Sequence, residues 1–456
     1  MTVLGELTRP KVDQLGPPAA GEFVYVDISS VDNKLKRIVE PKRLGVDAAP
    51  SRARQRLKAG DVLVSMTRPN LNAVAIVPPD LDGAIGSTGF HVLRANEKVL
   101  PNWLYYGVQS RNFIQAMSGV VQGALYPAVR PRDIQSFDLP APAVDEQRRI
   151  VAEIEKQFSR LDEAVTNLQR VRANLKRYEA AVLNVAVQGR LVPTEGNLAR
   201  SAGRDYEPAA LLLARMLRKR REQWSGRGVY QEPGAPESSH LPALPDGWAW
   251  ASIEQVASGE RYALSIGPFG SSLKVSDYES SGVPLVFVRN IRARKFRDED
   301  AVFVTPEKAA ELRAHWVAGG DLLITKMGAP PGDVCVYPQH RPTAVITADC
   351  IKLRPSAILA SATYLEVAIA ADVVQKQIAG ITQGVAQQKI SLGRFSTIAV
   401  PLPPLAEQHR VVAEVDRRLS LVREVEASVA ANLKRAHSLR SSMLSAAFAH
   451  DGRMSQ

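Results

Sequence analysis

The residues with the most evident chemical promise are Glu40-Pro41-Lys42, with Asp27 and Asp32 upstream. Carboxylates and a lysine in that order suggest a metal-dependent nuclease centre. The likeness is thin: the set has no counterpart elsewhere in the chain, and a surface turn is the plainer reading. Other catalytic signatures are missing. The seven histidines (91, 240, 315, 340, 409, 437 and 450) form no i, i+4 pair and no metal-spaced cluster. The chain has no Gly-x-Gly-x-x-Gly after a strand, no Gly-x-x-x-x-Gly-Lys-Ser/Thr loop, no Gly-x-Ser-x-Gly and no Asn/Asp-Pro-Pro-aromatic motif. Cys335 and Cys350 are its only cysteines, too few for a disulfide framework or a four-cysteine zinc site. The expectation is a chain with no catalytic residues, no metal and no cofactor of its own.

Its polar residues suit binding better. Fifty-eight Lys and Arg against forty-seven Asp and Glu leave a net charge of +11. A cationic excess favours nucleic acid, because each neutralised phosphate releases counterions. Thr67-Arg68-Pro69-Asn70-Leu71-Asn72 follows an apolar run and combines a bidentate guanine reader, Arg68, with two adenine readers, Asn70 and Asn72. Lys326 occupies the corresponding position later in the chain. Between Arg289 and Arg297 lies the densest basic stretch, where Arg289, Asn290 and Arg292 are candidate contacts. Ser271, Ser272 and Lys274 stand on a Gly-rich loop suited to phosphate or base edges. Tyr126, in Gly123–Tyr126, and Gln387 and Lys389, in Gly384–Lys389, complete the candidate set. Taken singly, each is more simply an exposed polar side chain.

These candidates recur because the chain is a tandem repeat. Gln122 through Ile154 align without a gap on Gln383 through Val415, an offset of 261 positions. LPAPAVDEQRRIVAEI (139–154) against VPLPPLAEQHRVVAEV (400–415) is the best stretch, sharing its prolines, Glu-Gln and Arg. Upstream, Lys58–Ser65 answers Val317–Thr325, both a Gly-Asp turn leading into an apolar run. Leu93-Arg94 answers Leu353-Arg354, and Tyr25–Ile28 more loosely answers Phe287–Ile291. A period this long marks a duplicated domain with pseudo-twofold character, since solenoid units run only ~20–50 residues.

Each copy opens with short runs rich in Val, Ile and aromatics, bounded by Gly, Pro, Asn and Asp. Phe23–Ile28, Val62–Ser65, Ala73–Val77, Leu285–Val288, Leu322–Thr325 and Val334–Tyr337 read as strands. Trp103–Met117 and Tyr364–Ile378 read as helical. A Pro-rich stop then precedes a long helix in each copy. In the first, Phe158, Leu161, Val165, Leu168 and Leu175 fall on a heptad seam with one irregular pair of three-residue steps; in the second, Leu419, Val422, Val429 and Leu433 do. Each seam continues for about forty residues, ~60 Å at 1.5 Å per residue, longer than a small domain needs. The two helices are therefore expected to pair antiparallel as a spacer. The resulting α+β plan is an α/β domain (1–143), a long helix (144–196), a linker with a basic helix over Ala209–Trp224 (197–245), a second α/β domain (246–404), and a second long helix with its tail (405–456). No apolar run approaches the ~20 residues a membrane helix needs, and the opening lacks the marks of a secretory signal, so a cytoplasmic location is expected.

In combination these residues resemble the DNA-specificity subunits of type I restriction–modification enzymes. The likeness rests on the Gly-Asp-Val-Leu and Gly-Asp-Leu-Leu strands, Gly267–Lys274 (GPFGSSLK), Leu244–Trp250 (LPDGWAW), the twin Pro-x-Pro…Glu-Gln-x-Arg helices and Ala180–Val192. It covers almost the whole chain, although the first copy lacks a Leu-Pro-x-Gly-Trp opening and starts near Leu4–Leu7. The resemblance implies two target-recognition domains, each reading half of a split double-stranded DNA target. It also implies two methyltransferase subunits that bind S-adenosylmethionine and dock on the long helices. Two motor-nuclease subunits using ATP and magnesium would complete a phage-defence complex. The alternatives are a specificity subunit serving a methyltransferase alone or another defence complex, and a nuclease centred on Glu40 and Lys42.

Overall fold

The computed structural model describes residues 1–9, 12–121, 127–226, 228–384 and 388–449. The chain divides into two compact units, Met1–Val171 with Ser428–Gln456, and Arg172–Ala427. Each contains one α/β domain and one stretch of both long helices, so the units cut across the linear plan read from the sequence.

In the first unit a four-stranded sheet runs in the order Lys42–Gly45, Glu22–Val26, Ile85–Ser87, Ala53–Arg56. Its Glu22–Val26 and Ile85–Ser87 strands are parallel and its other pairs antiparallel. Beside it lies an antiparallel sheet of Phe90–Leu93, Val62–Ser65 and Val74–Ile76. The second unit repeats this plan. One sheet runs Phe303–Val304, Val283–Val286, Ala344–Ile346, Trp316–Val317, and the other runs Leu264–Ile266, Cys350–Leu353, Leu322–Thr325, Val334–Val336. Leu264–Ile266 is the strand without a counterpart in the first unit's described sheets. A two-stranded ladder closes each domain, Thr2–Val3 on Asp138–Leu139 and Ala249–Ser252 on Ala399–Leu402.

The central strands Val62–Ser65 and Leu322–Thr325 are buried at every position, which explains why three apolar residues open each before a small hydroxyl residue. The turn before each needs a left-handed residue, supplied by Gly60 (φ 86°) and Gly320 (φ 88°). The next residue then bonds back across the turn: Asp61 accepts the Lys58 amide and Asp321 the Ala318 amide, at 2.8 and 2.9 Å. Arg94 and Arg354 fork those same buried carboxylates, so the Gly-Asp and Leu-Arg matches are two halves of one ion pair.

Two expected helices are each broken. Pro101–Gly107 and Arg111–Val120 replace one continuous stretch, because Ser110 turns extended and caps the Phe113 amide. Ala362–Ala370 and Asp372–Ile381 are likewise divided at extended Ala371. The basic helix spans Ala209–Glu222 and buries Ala209, Leu212, Leu213 and Leu217 in the core of the second domain.

The long helices span Val144–Val187 and Leu405–Ala447 and run antiparallel. In the first unit, Leu161, Ala164, Leu168 and Val171 face Asn432, Arg435, Ala436 and Leu439. In the second, Val182, Leu183, Ala186 and Val187 pack on Val411, Val415, Leu419 and Val422, with Leu175 against them. Phe158, Leu419, Val422 and Val429 are buried, while Leu161, Val165, Leu168, Leu175 and Leu433 are half-buried between exposed neighbours. Val171, at the irregular step, is exposed. Each three-residue step lags the helix by 60°, so two in succession turn the stripe and leave Val171 at the rim of the seam. No described helix is long and apolar enough to cross a membrane.

Candidate nucleic-acid interface

In the first unit the chain leaves Val62–Ser65 through Met66–Asn72, a loop tied to a segment far along the sequence. Arg68 N donates to Pro127 O at 2.9 Å, Val129 N donates to Met66 O at 2.8 Å, and Thr67 bridges Ala128. Arg68 and Asn72 both take left-handed conformations, φ 49° and 47°, so the loop doubles back around Pro69–Leu71. Arg68 and Asn70 are exposed on its outer side.

The second unit repeats the junction. Ile390 N donates to Lys326 O at 3.0 Å, Gly328 N donates to Gln388 O at 3.2 Å, and Met327 bridges Lys389. Lys326 and exposed Lys389 therefore share one end of the sheet. The Gly-rich loop joins them there. A Cβ on Gly267 would lie 2.1 Å from the Thr347 carbonyl, so only glycine lets the loop lie against that backbone. Beyond it Phe269 is exposed beneath Lys326, whose Nζ sits 4.7 Å from the ring centroid and donates to Ala348 O. Ser271, Ser272 and Lys274 are exposed on the same loop, closed by Asp277 accepting the Lys274 amide at 2.7 Å.

Two expected base readers are instead structural. Asn72 is 6% exposed; its amide donates to Val108 O and accepts from half-buried Lys36, leaving no free edge for adenine. Burial, with Arg440 nearby, pushes Lys36 down to about 8. Asn290 is 5% exposed; it accepts the Phe287 amide and donates to Arg297 O, capping a short turn as Ser30 does in the first unit. Both are removed from the set of base contacts. Arg289 is exposed but folded over Phe287, donating to Asp300 O, and exposed Arg292 lies 3.7 Å from Asp333. Tyr126 and Gln387 lie outside the described residues.

The acidic set gathers into no metal centre. Lys42 pairs with Asp27 at 2.6 Å, while Asp32 accepts the Lys34 and Leu35 amides in its own turn. Among the described residues no cluster of His, Cys, Asp and Glu is placed to hold a metal ion.

Residues 308–422, which span the Lys326 junction, match the type I restriction modification DNA specificity domain. A solved chain from a study of complex assembly and conformational transition in a type I R-M system superposes at a TM-score of 0.70. It is 25% identical, with 99% of this chain and 97% of that one covered. Residues 308–422 thus carry the DNA specificity domain of type I restriction–modification systems, and the chain as a whole is similar to their specificity subunits. The HsdS subunit from Thermoanaerobacter tengcongensis is also similar, at a TM-score of 0.55 and 26% identity, over 98% of this chain and 96% of that subunit. The specificity subunit of the type I restriction enzyme EcoBI of Escherichia coli is 20% identical over 336 residues, 74% of this chain and 63% of that protein. That of EcoKI, from strain K12, is 20% identical over 371 residues, 78% and 67% respectively. The chain thus spans about two thirds of these relatives' length.

In this chain, sequence reasoning missed Phe269 as an exposed ring beside Lys326. The flanking Gly267 and Gly270 were the available signal, because a glycine-rich loop often presents the residue between its glycines.

Proposed function

We propose that this chain is the non-catalytic DNA-reading subunit of a type I restriction–modification complex, with each α/β domain reading one half of a split double-stranded target. The observation that carries this reading is the repeated loop junction. The same backbone bonds join the same two loops in both domains, but the side chains they present differ: Met66-Thr67-Arg68 in one, Lys326-Met327-Gly328 in the other. A repeated scaffold with unlike polar groups suits two half-sites of unlike sequence. Arg68, Asn70, Ser271, Ser272, Lys274, Lys326 and Lys389, with Tyr126 and Gln387, form the proposed contact set, and Arg289 and Arg292 flank it. The long helices set the gap between half-sites and dock two methyltransferase subunits.

Those subunits would bind S-adenosylmethionine and methylate adenine, while two motor-nuclease subunits using ATP and magnesium would cut. The test is to express the chain with its partner subunits and sequence the methylated sites of the host genome. The expected result is one motif in two parts separated by a fixed gap, dependent on this chain. Methylation that persists without the chain, or a single uninterrupted motif, would overturn the reading.

A further inference from the structure

At the end of the second domain's sheet opposite Lys326 is a cleft of about 400 Å³ lined by Arg261, Tyr262, Arg313, Trp316, Lys352 and Arg354 among others. We propose that it is a phosphate-binding site, separate from the base-reading loops. Three independent observations meet there.

The first is a lysine in the wrong place for a core. Lys352 lies in the strand Cys350–Leu353 and is 3% exposed. The equivalent strand of the first domain, whose Leu93-Arg94 matches Leu353-Arg354, has buried Val92 at that position. Lys352 Nζ donates to Trp316 O at 2.7 Å, leaving two N–H groups for another acceptor. An ammonium held this way is disfavoured by desolvation, and burial pushes it down to about 8.

The second is a pair of arginines fixed but not neutralised. The Arg261 guanidinium lies 4.7 Å from the Tyr262 ring centroid and that of Arg313 lies 5.7 Å from the Trp316 centroid. Among the described residues neither makes an ion pair, whereas Arg354 is held by Asp321 and Glu260. A guanidinium resting on a ring keeps its N–H edge free for an oxyanion. Four cations against those two carboxylates leave two positive charges, matched to a phosphate.

The third is the backbone. Tyr262 is exposed yet holds φ 65°, a left-handed conformation that a tyrosine rarely adopts. It follows directly on Arg261 and precedes Leu264–Ile266, the strand without a counterpart in the first domain's described sheets.

Cys350–Leu353 pairs Cys350 with Thr325 at the Lys326 end and Leu353 with Leu322 at the cleft end. The three steps from Cys350 to Leu353 rise ~10 Å, close to three base-pair steps of ~3.4 Å. The phosphate could therefore belong to duplex flanking the contacted bases, or to a free phosphate or nucleotide.

The experiment separates these sources in the full-length chain. Inorganic phosphate and adenosine monophosphate are titrated by calorimetry without DNA, and target and non-target duplexes are bound across a salt series. Wild type is compared with Arg261→Ala/Arg313→Ala, whose sites are exposed and should not disturb folding, and with Lys352→Met. A free-phosphate site predicts saturable binding of either small probe, weakened at least tenfold in both variants. A duplex source predicts at least tenfold weaker binding to target and non-target DNA alike, with a salt slope shallower by about one. The proposal is overturned if wild type takes up neither small probe and the double variant keeps wild-type duplex affinity and slope. Failure to assemble with partner subunits, with both kinds of binding intact, would also overturn it and assign the cleft to an acidic protein segment. The small-probe arm does not depend on how bases are read, so its failure and failure of the proposed function are distinguishable.

Discussion

Gln147 and Gln408, 261 positions apart, fasten the two long helices to their domains with matching hydrogen bonds. Gln147 accepts the Leu100 amide and donates to Lys98 O and Pro142 O; Gln408 accepts the Ser361 amide and donates to Leu359 O and Pro403 O. Both side chains are fully buried. The Glu-Gln pair in each repeat is thus partly a staple between a Pro-rich stop and the strand-to-helix loop above it. Replacing either glutamine by alanine strands three backbone groups. A loss of about 2 kcal/mol is expected for each, read as a lower denaturant midpoint at unchanged m-value. Gln→Glu should cost at least as much, since a carboxylate donates to neither carbonyl.

The adjacent glutamates differ, and so should their variants. Glu407 is buried and accepts both the Trp248 indole N–H and the Glu195 amide, whereas Glu146 is exposed. Trp248 belongs to the LPDGWAW stretch that the first copy lacks, which accounts for the asymmetry. Glu407→Gln is expected to destabilise by about 1–3 kcal/mol because its NH2 cannot satisfy both donors. Glu146→Gln should stay within about 0.5 kcal/mol.

Burial raises the Glu407 carboxyl above its usual range, partly opposed by the Glu195 amide, Trp248 and Arg410. With a raised native pKa, the folded state binds more protons than the unfolded state between the ordinary and the raised value. The Glu407 contribution is therefore fullest below that window and declines as pH rises through it. The advantage of wild type over Glu407→Gln should narrow from pH 4 to pH 7 in thermal melts. An advantage that widens over that range would contradict the assignment.

Much of this architecture could be read from the sequence wherever the signal was local or repeated. Val62–Ser65 and Leu322–Thr325 were legible because a positive-φ glycine, an aspartate and an apolar run follow in order. The heptad seams were legible because their burial repeats with the helix. Asn72 was not. Its fate is set by Lys36 and Val108, each 36 residues away, and by a left-handed turn that points its amide inward. Asn290 misled for a related reason, because a capping asparagine and a base-reading asparagine look alike in a basic stretch. The helix breaks at Ser110 and Ala371 were also hidden, since the apolar spacing continues across both.

That distinction is testable in pairs. Asn72→Ala and Asn290→Ala should lower stability by about 1–3 kcal/mol while leaving the methylated motif unchanged. Arg68→Ala should leave stability near wild type and weaken discrimination at one half-site only, by about 1–3 kcal/mol if its guanidinium grips guanine. Competition assays on targets with single base changes read the difference. Equal loss on all sequences would make Arg68 a phosphate contact.

Whether each domain reads its own half of a split target can be decided by exchanging one of them. Residues 1–143 are replaced by the corresponding domain of a relative with a different target. The hybrid is expressed with the partner subunits, and methylated adenines are mapped across the genome. The expected motif has one half changed to the relative's, while the other half and the gap stay as in wild type. A motif changed in both halves, or in neither, from a hybrid that still methylates would contradict it.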